Sequence, residues 1–433
     1  MKYLFVDNYR GFTDTLIPLK QVTFLVGENS TGKTSILSII RLLSDYKFWY
    51  EQQFNDKDVQ LGTFRDIVSL ASANSSTFSI GMIDTSPENT ERCFVFLAVF
   101  SEKEGLPAIL KFHYCYEKRE TNVYVTGSNV QYNVNMISNV KNDVGFLYSF
   151  IHKWNTQKKE RKGLKEFKPP GHVPSSYAIQ IMFVLQMLEQ ESSEGRRAVP
   201  FPYILQSSFR ALTWLAPIRS KPKRTYDDYK TDFSSDGSHA PYLVRKILGT
   251  SSSCSKFNDF IRQFGTNSGL MEAVKIKKYG DDEIISPFEL SIELEKKNLN
   301  IKYVGYGVSQ ILPVVVEIYN GQKHTWFVIQ QPEVHLHPKA QAALGDVFYM
   351  MAKKEEKIFL IETHSDYMID RFRRNYVGGK GAVEAQVLFF RRKGIENMVD
   401  SINITDSGEY DANQPKEFRD FFIKEELDNL GIK

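Results

Sequence analysis

Eight residues near the amino terminus, Gly27 to Thr34, constrain this chain more than any other segment. They read GENSTGKT and satisfy the phosphate-binding pattern G-x-x-x-x-G-K-[ST] in full. The apolar, β-branched run Val22–Val26 before them predicts a buried strand, and residues 35–43 after them have the apolar spacing of a helix. A strand, a glycine-rich loop and a helix in this order predict an α/β fold with a phosphate site. The alternative, a chance turn, does not explain the strand and the helix on either side.

The loop residues suit a phosphate chain for physical reasons. Glycines let the backbone curl so that successive N–H groups face one anion, and the helix N-terminus adds the positive end of its dipole. Lys33 is expected to reach the β- and γ-phosphates of a nucleotide, and the Thr34 hydroxyl is expected to bind Mg²⁺. The predicted nucleotide-binding residues here are Gly27, Asn29, Ser30, Thr31, Gly32, Lys33, Thr34 and Ser35.

A second apolar strand, predicted at Trp326–Ile329, also ends in polar residues. Such residues are expected at the carboxyl edge of the sheet, where open α/β sheets bind ligands. Phosphoryl transfer requires one carboxylate there for Mg²⁺ and another that orients the attacking water. Gln330 and Gln331 occupy these two places, so both are catalytic candidates and Gln330 is the expected metal ligand. Glu333, taken as the only acid nearby, is the third catalytic candidate.

Two further segments add weaker signals. Val304–Gln310 is a glycine-bracketed turn before an apolar helix, in which Ser309 is expected to cap the helix and the free N–H groups to form a second anion site. A plain turn with a cap is the alternative. The predicted ligand-contacting residues of this turn are Gly305, Gly307, Ser309 and Gln310. His364 follows the apolar strand predicted at 358–361, and it is the fourth catalytic candidate because a histidine at this sheet edge can bond a γ-phosphate.

The ends of the chain and its middle predict different architectures. Strands and helices alternate at both ends, which predicts a parallel sheet with helices on both faces. Residues 76–128 alternate apolar and polar positions and predict antiparallel strands. The predicted fold is a P-loop NTPase with a parallel sheet core, an added antiparallel β lobe and a mainly helical insertion. The predicted domains are 1–75, the N-terminal half of the nucleotide-binding domain; 76–135, the β lobe; 136–300, the helical insertion and connecting segment; and 301–433, the C-terminal half.

Composition excludes several classes of protein. The 55 Lys and Arg against 52 Asp and Glu among 433 residues leave a formal charge of +3, so the chain is not coated in basic residues. No apolar run reaches the ~18 residues of a membrane span, and the amino terminus lacks a secretion signal. Cys93, Cys115 and Cys254 lie far apart, which disfavours disulfides. A cytoplasmic protein without membrane partners is expected.

In this order, the four motifs resemble those of ABC-type ATPases of the prokaryotic overcoming-lysogenization-defect and SMC-like group. The resemblance covers residues 1–70 and 300–433, and it implies ATP and Mg²⁺ as cofactors. It makes Gly27–Thr34 the Walker A loop, Val304–Gln310 the signature motif, Ile329–Pro338 the Walker B strand with the D-loop, and His364 the switch histidine. It also implies a head-to-tail dimer, in which the Ser309 turn of one copy closes over the ATP held by Lys33 of the other.

The sequence departs from this family at the Walker B strand. Relatives usually carry an acid at the place of Gln330, and many carry one at the place of Gln331. An amide removes about one unit of charge from the Mg²⁺ shell and removes the acceptor that orients water. We therefore expect ATP binding with slow or absent turnover, in which Glu333 supplies whatever carboxylate chemistry exists.

A narrower resemblance lies in the middle of the chain. Ala216–Tyr226 and Phe233–Tyr242 resemble segments of antiviral-defence ATPases of the Septu and retron-associated kind. This resemblance implies a separate effector, an HNH or other nuclease, with a retron reverse transcriptase and its nucleic acid as further partners. Four basic residues within the first segment, Arg219, Lys221, Lys223 and Arg224, suit nucleic-acid phosphates or a contact between domains equally well.

The expected function is an ATP-gated dimeric sensor or scaffold that controls such an effector in antiviral defence. The 69 residues after His364 are too few for a nuclease fold of the chain's own. The alternative is a DNA-repair or chromosome-organising SMC-like ATPase, which needs heptads for a long coiled coil. Residues 140–300 lack these heptads. A transporter ATPase, with membrane partners, is a third possibility.

Overall fold

The computed structural model describes most of the chain. The described residues are 1–70, 76–85, 94–116, 118–127, 129–138, 140–156, 163–169, 176–192, 209, 211–228, 230, 232–249, 251–280, 286–377, 383–412 and 414–421. Cys93 lies outside them. The chain divides into two compact units, each built from separate stretches of sequence. The first unit comprises 1–20, 28–210 and 390–401, and the second comprises 21–27, 211–389 and 402–433.

The strands and helices of the described residues are numbered in chain order. The strands are β1 Lys2–Asp7, β2 Thr15–Leu19, β3 Val22–Gly27, β4 Thr77–Asp84, β5 Phe94–Lys103, β6 Leu106–Tyr116, β7 Arg119–Thr126, β8 Asn129–Met136, β9 Lys165–Phe167, β10 Leu212–Leu215, β11 Ala273–Lys278, β12 Phe288–Leu294, β13 Lys297–Asn300, β14 Trp326–Gln330, β15 Ile358–Glu362, β16 Ala385–Lys393 and β17 Glu396–Ile404. The helices are α1 Lys33–Ser44, α2 Tyr46–Glu51, α3 Phe64–Ile67, α4 Val144–Thr156, α5 Tyr177–Ser192, α6 Ala240–Leu248, α7 Ser251–Ser268, α8 Tyr306–Asn320, α9 Pro338–Glu355 and α10 Asp366–Arg374. Within these ranges, no helix is both long enough and apolar enough to cross a bilayer.

The first unit contains an eight-stranded sheet in the order β2-β1-β4-β5-β6-β7-β8-β9, in which the neighbouring strands run antiparallel. Helix α4 packs on it through apolar side chains that include Leu147, Ile151 and Trp154. The alternation of elements at the amino-terminal end predicted a parallel sheet there, but β1 and β2 belong to the antiparallel sheet. The connection between β1 and β2, residues 8–14, is long enough for a hairpin but too short for the crossover that parallel neighbours require.

The strands β10, β14, β15 and β3 of the second unit belong to a six-stranded sheet in the order β10-β14-β15-β3-β16-β17. The pairs β10–β14, β14–β15 and β15–β3 are parallel. Every residue of β3 and of β14 is buried, which matches their largely apolar sequences, since a parallel strand is covered on both faces. Residues of three helices, α8, α9 and α10, share a hydrophobic core with these strands, and the rings of Phe24 and Phe372 meet edge to face at 5.2 Å.

The segment 136–300 is not only a helical insertion. It contains α4, α5, α6 and α7, but it also supplies β10, which pairs with β14 over Leu212–Leu215. The strands β11, β12 and β13 of the same segment form a separate antiparallel sheet. Strand β10 has only four residues, so it is too short for an apolar period to reveal it in the sequence.

Candidate functional site

The phosphate-type loop leaves strand β3 at Gly27, and helix α1 begins six residues later at Lys33. The Lys33 side chain is buried, and its Nζ donates a hydrogen bond to the main-chain oxygen of Glu28 at 2.6 Å. The Thr31 hydroxyl donates to the same oxygen at 2.8 Å. These bonds close part of the loop on itself, and Arg392 also donates a hydrogen bond to the main-chain oxygen of Ser30.

Gly32 allows the loop to turn into α1. Its φ of +93° lies in the left-handed region, which residues with a side chain rarely adopt. A Cβ at this position would also come within 2.5 Å of the Phe12 ring. Glycine is therefore required here for two independent reasons, one of backbone conformation and one of space.

The start of α1 suits an anion. No acidic residue lies in its first turn, and Thr34 in that turn is exposed. The N–H groups of a first helical turn lack partners within the helix, and the dipole places partial positive charge there. The loop residues Glu28, Asn29 and Ser30 are exposed as well, so a ligand has access to this end of the helix.

Polar side chains meet at the carboxyl edge of the parallel strands in the second unit. Gln330 ends β14 and lies opposite Glu362, which ends β15, and Glu362 lies opposite Leu25 of β3. The Gln330 amide donates to the Glu362 carboxylate, with 3.2 Å between Nε2 and Oε2. The expectation that Glu333 is the only acid nearby is therefore wrong. Residues 330 and 362 are far apart in sequence, and only the pairing of their strands makes them neighbours.

Glu333 lies in the turn that follows β14, and only 8% of its surface is exposed. Its Oε1 accepts a hydrogen bond of 2.7 Å from the main-chain N–H of His364, whose imidazole is exposed. The other oxygen, Oε2, has no hydrogen-bond partner among the described residues. Burial raises the pKa of the Glu333 carboxyl, while the His364 N–H and the charge of Arg219 act in the opposite direction.

Arg219 is the residue of this edge that the sequence did not assign to it. It follows β10, only 3% of it is exposed, and its Nη2 donates to the main-chain oxygen of Gln330 at 3.1 Å. Burial lowers its pKa to about 10, against the charge of Glu333, which raises it. A buried guanidinium cannot belong to a nucleic-acid surface. That interpretation is wrong for Arg219, although Lys221, Lys223 and Arg224 are exposed.

The glycine-bracketed turn leads into α8, but Ser309 does not cap this helix as predicted. Gly305 occupies the cap position, and Ser309 lies inside the helix, where its hydroxyl donates to the Tyr306 oxygen at 2.7 Å. Ser309 is 4% exposed, and Gln310 is also buried. The exposed residues of this turn are Lys302, Tyr303, Gly305 and Tyr306. A surface for a ligand or a second chain is therefore formed by Gly305 and its neighbours rather than by the Ser309 side chain.

Non-glycine residues with left-handed backbone occur in the phosphate-type loop and in the loop after β14. Ser30 in the phosphate-type loop has a φ of +61°, and Gln331 and His335 after β14 have values of +44° and +67°. Such conformations cost about 1–3 kcal/mol each and concentrate at functional sites.

The predicted site residues divide between the two units. Asn29, Ser30, Thr31, Gly32, Lys33, Thr34 and Ser35 belong to the first unit, and Gly27, Gly305, Gly307, Ser309, Gln310, Gln330, Gln331, Glu333 and His364 belong to the second. Within the second unit, the ends of β14 and β15 bring Gln330 and Gln331 together with Glu362, whose main-chain oxygen accepts from the Gln331 N–H at 2.7 Å. Glu362 and Arg219 are the residues of this edge that sequence reasoning missed.

Magnesium fits the oxygen donors of these segments. Mg²⁺ prefers oxygen ligands and is usually bound by one or two carboxylates together with substrate phosphates. In the second unit, Gln330 offers an amide oxygen and Glu362 a carboxylate next to it. In the first unit, Thr34 offers a hydroxyl at the start of α1. Among the described residues, no cluster of three or more His, Cys, Asp or Glu side chains has the arrangement of a metal site.

Comparison with known proteins gives one family. The family model of the AAA ATPase domain matches residues 1–369 of this chain. None of the curated proteins matches the sequence.

Among solved structures, the chain is similar to an SMC head bound to the C-winged helix domain of ScpA, at 10% identity and a TM-score of 0.42, with 93% of this chain and 98% of that chain covered. It is similar to the SMC head domain from Thermotoga maritima at 11% identity and a TM-score of 0.39, covering 92% and 97%. An SMC head with an extended coiled coil from Pyrococcus furiosus, bound to the C-terminal domain of ScpA, gives 9% identity and a TM-score of 0.39, covering 93% and 97%.

Proposed function

The chain belongs to the AAA ATPase domain family, and from this premise we propose that it is an ATP-binding switch with slow hydrolysis. The observation that carries the proposal is the Gln330–Glu362 contact. An amide stands at the end of β14, where fast ATPases of this group carry an acid, and it is bonded to an acid on the neighbouring strand. This edge of the sheet therefore keeps a negative charge that can attract Mg²⁺, but the charge lies at the end of β15 instead of at the end of β14.

ATP binding is proposed at the loop that precedes α1. The N–H groups of the loop and of the first turn of α1 would hold the phosphates, and Lys33 would exchange its bond to the Glu28 oxygen for one to a phosphate. Thr34 is the metal ligand proposed at this loop, and Gln330 is the metal ligand proposed at the end of β14, where Glu362 adds negative charge. When bound, Mg²⁺ neutralises charge that develops on the phosphate oxygens.

Slow hydrolysis is proposed because the groups that accept a proton at this edge are few. Gln331 has no basic oxygen comparable to a carboxylate, so it orients water weakly. Glu333 is the carboxylate of the turn after β14, and its burial favours the neutral acid, which is a poor base. A bound triphosphate should therefore persist for many seconds or longer. The protein would then act as a switch that stays in its ATP-bound state for that time, and not as a motor that hydrolyses ATP repeatedly.

Lys33→Ala tests nucleotide binding. Charge-assisted hydrogen bonds contribute about 1.5–3 kcal/mol, so the variant should lose about tenfold to a hundredfold in ATP affinity. Binding of a fluorescent ATP analogue measures the loss, and Lys47→Ala, which alters an exposed lysine of the same unit, is the control. Unchanged affinity in Lys33→Ala would refute the site. Phosphate release at the rate of an ordinary ATPase, abolished by Lys33→Ala, would refute slow turnover.

ATP-dependent association of two copies is the second part of the proposal. The turn before α8 presents exposed backbone at Gly305, and the ATP of a second copy would be its ligand. Ser309→Arg is a poor test because Ser309 is buried, so the variant would disturb the helix itself. Gly305→Arg is better, since no atom lies within 4 Å of a Cβ at Gly305 and its φ of −53° suits any residue.

The association test compares mass with and without ATP. Light scattering of the unsubstituted protein should report a dimer only with ATP, and Gly305→Arg should remain monomeric while binding ATP normally. Gly305→Ala is the matched control and should dimerise. A dimer that forms equally well in Gly305→Arg would show that this turn does not face the second copy.

Control of a separate effector, a nuclease of an antiviral defence system, is the biological setting that we propose for the switch. The resemblance of Ala216–Tyr226 and Phe233–Tyr242 to defence ATPases supports it. Purification from the native operon tests it, because a nuclease or a reverse transcriptase in the complex favours defence. A chromosome-organising role, the alternative, would be favoured by SMC-type partners, and a membrane permease would favour transport.

A further inference from the structure

Arg219 is a buried cation with unused hydrogen-bonding capacity. Its residue surface is 3% exposed, and one of its nitrogens, Nη2, donates to the Gln330 main-chain oxygen. Its Nε and Nη1 have no hydrogen-bond partner among the described residues. A guanidinium in this state is costly unless a nearby negative charge offsets its desolvation. The burial of the Arg219 side chain is therefore explained by its interactions with the residues around it.

The order of strands decides which neighbours these are. Arg219 follows β10, which is separated from β3 and its phosphate-type loop by β14 and β15. Neighbouring strands lie about 4.7–4.9 Å apart, so β10 lies ~14 Å from β3 across the sheet. Arg219 therefore acts at the end of β14, where Gln330 and Glu333 lie, and not at the position of the phosphates.

The negative charge that faces Arg219 is that of Glu333. The attraction between the two charges favours the ionised form of both residues. Hydrogen bonds from the N–H groups of His364 and Glu333 and from the Thr363 side chain also favour the charged form of Glu333, and the Arg219 charge adds to them. Glu362, another acid of this edge, is bonded to the Gln330 amide.

We propose that Arg219 is the positioning residue of this edge, whose guanidinium fixes the main chain of Gln330 and lends a positive charge to the buried turn that carries Glu333. The inference deepens the proposed function and rests on it, because Glu333 is the residue proposed to serve hydrolysis. Arg219 touches neither the phosphates nor the water, and its effect on turnover passes through Gln330 and Glu333.

Steady-state kinetics of three variants test the role. Arg219→Met should lower kcat about tenfold to a hundredfold, as loss of a supporting partner usually does, and leave KM for ATP within about twofold. Arg219→Lys keeps the charge but not the fork of donors, so it should recover part of the loss. Arg224→Met, which removes an exposed arginine of the same segment, should leave both constants unchanged.

A double-mutant cycle on the melting temperature separates the effect of the charge on Arg219 from the effect of its packing. Arg219→Met leaves the Glu333 charge buried and should lower the melting temperature, and adding Glu333→Gln should raise it again, since both partners are then neutral. Additive effects of the two substitutions, or kcat unchanged in Arg219→Met, would overturn the inference. Absence of any turnover in the unsubstituted protein would instead refute the proposed function, and this result is distinct from an active Arg219→Met variant.

Discussion

Gly307 lies so close to His335 that a Cβ on Gly307 would be 2.6 Å from the main-chain oxygen of His335. The rings of Tyr306 and His335 also meet, edge to face, with 4.7 Å between their centroids. The turn before α8 and the loop after β14 are therefore packed main chain to main chain. Because Glu333 belongs to that loop, a change at the turn is transmitted to the proposed hydrolytic edge.

Gly307→Ala should destabilise the protein although it replaces glycine in a helix. Alanine usually stabilises a helix interior by about 1 kcal/mol relative to glycine. Here the added methyl group must displace the loop at His335, and overpacking of this kind costs about 1–3 kcal/mol. Thermal unfolding should show a lower melting temperature, and phosphate release should be slower than in the unsubstituted protein.

Gly305→Ala is the matched control for this prediction. A Cβ at Gly305 would have no atom within 4 Å, so the substitution loses only the advantage of glycine over alanine at a helix cap. Equal destabilisation by the two substitutions would show that the contact with His335 has no energetic consequence.

Gln331→Glu should raise turnover. The substitution keeps the shape of the side chain and adds the carboxylate that Gln331 lacks, and general base catalysis typically contributes 10²–10⁴-fold. We expect phosphate release to rise by at least about a hundredfold, with ATP affinity unchanged. A rate that stays at the unsubstituted level would mean that Gln331 does not lie where a base contacts water, and the explanation of slow hydrolysis would then be wrong.

Glu362→Gln should weaken Mg²⁺ binding. The variant keeps a hydrogen-bonding partner for Gln330 but removes the negative charge beside it. Supporting groups of metal sites typically contribute tenfold to a hundredfold in affinity. The Mg²⁺ concentration that gives half of the maximal turnover should rise by about tenfold, as measured by titration at saturating ATP. Glu384→Gln, at an exposed acid of the same unit, is the control, and an identical Mg²⁺ dependence in the two variants would remove Glu362 from the site.

His113 should make the stability of the first unit depend on pH. Burial lowers its pKa from 6.5 to about 4, and its ring stacks on Trp154. The unfolded chain therefore binds the proton first as the pH falls, so stability that is present above pH 6.5 is lost toward pH 4. This residue should reduce the free energy of unfolding by about 2 kcal/mol between pH 7 and pH 5.

Urea denaturation followed by tryptophan fluorescence measures this effect. His113→Gln should remove that part of the pH dependence, whereas His152→Gln, at an exposed histidine of the same unit, should retain it. The same difference between pH 7 and pH 5 in His113→Gln as in the unsubstituted protein would contradict the assignment.

Local patterns predicted the elements that carry the site. The apolar run before Gly27 is β3, the residues after Gly32 are α1, and the strand predicted at Trp326–Ile329 is β14 with one further residue. The match of the AAA ATPase domain family confirms the resemblance to ATPases drawn from these motifs. These predictions succeeded because each depends on residues within a few turns or strand lengths of one another.

Relationships between distant segments could not be predicted in the same way. Glu362 becomes a neighbour of Gln330 only through the pairing of β14 with β15, and Arg219 reaches this edge only because the short strand β10 joins the sheet. Ser309 looked like a cap because serine favours that position, but the helix begins earlier, at Tyr306, and Gly305 is its cap. Periodicity describes one element at a time, whereas these contacts depend on the order of strands.

The most direct test of the account is single-turnover phosphate release in the Glu333→Gln variant. The account predicts that the unsubstituted protein binds ATP and releases phosphate slowly, and that Glu333→Gln binds ATP with the same affinity and releases no measurable phosphate. Release at an equal rate in the two proteins would contradict the claim that Glu333 serves hydrolysis.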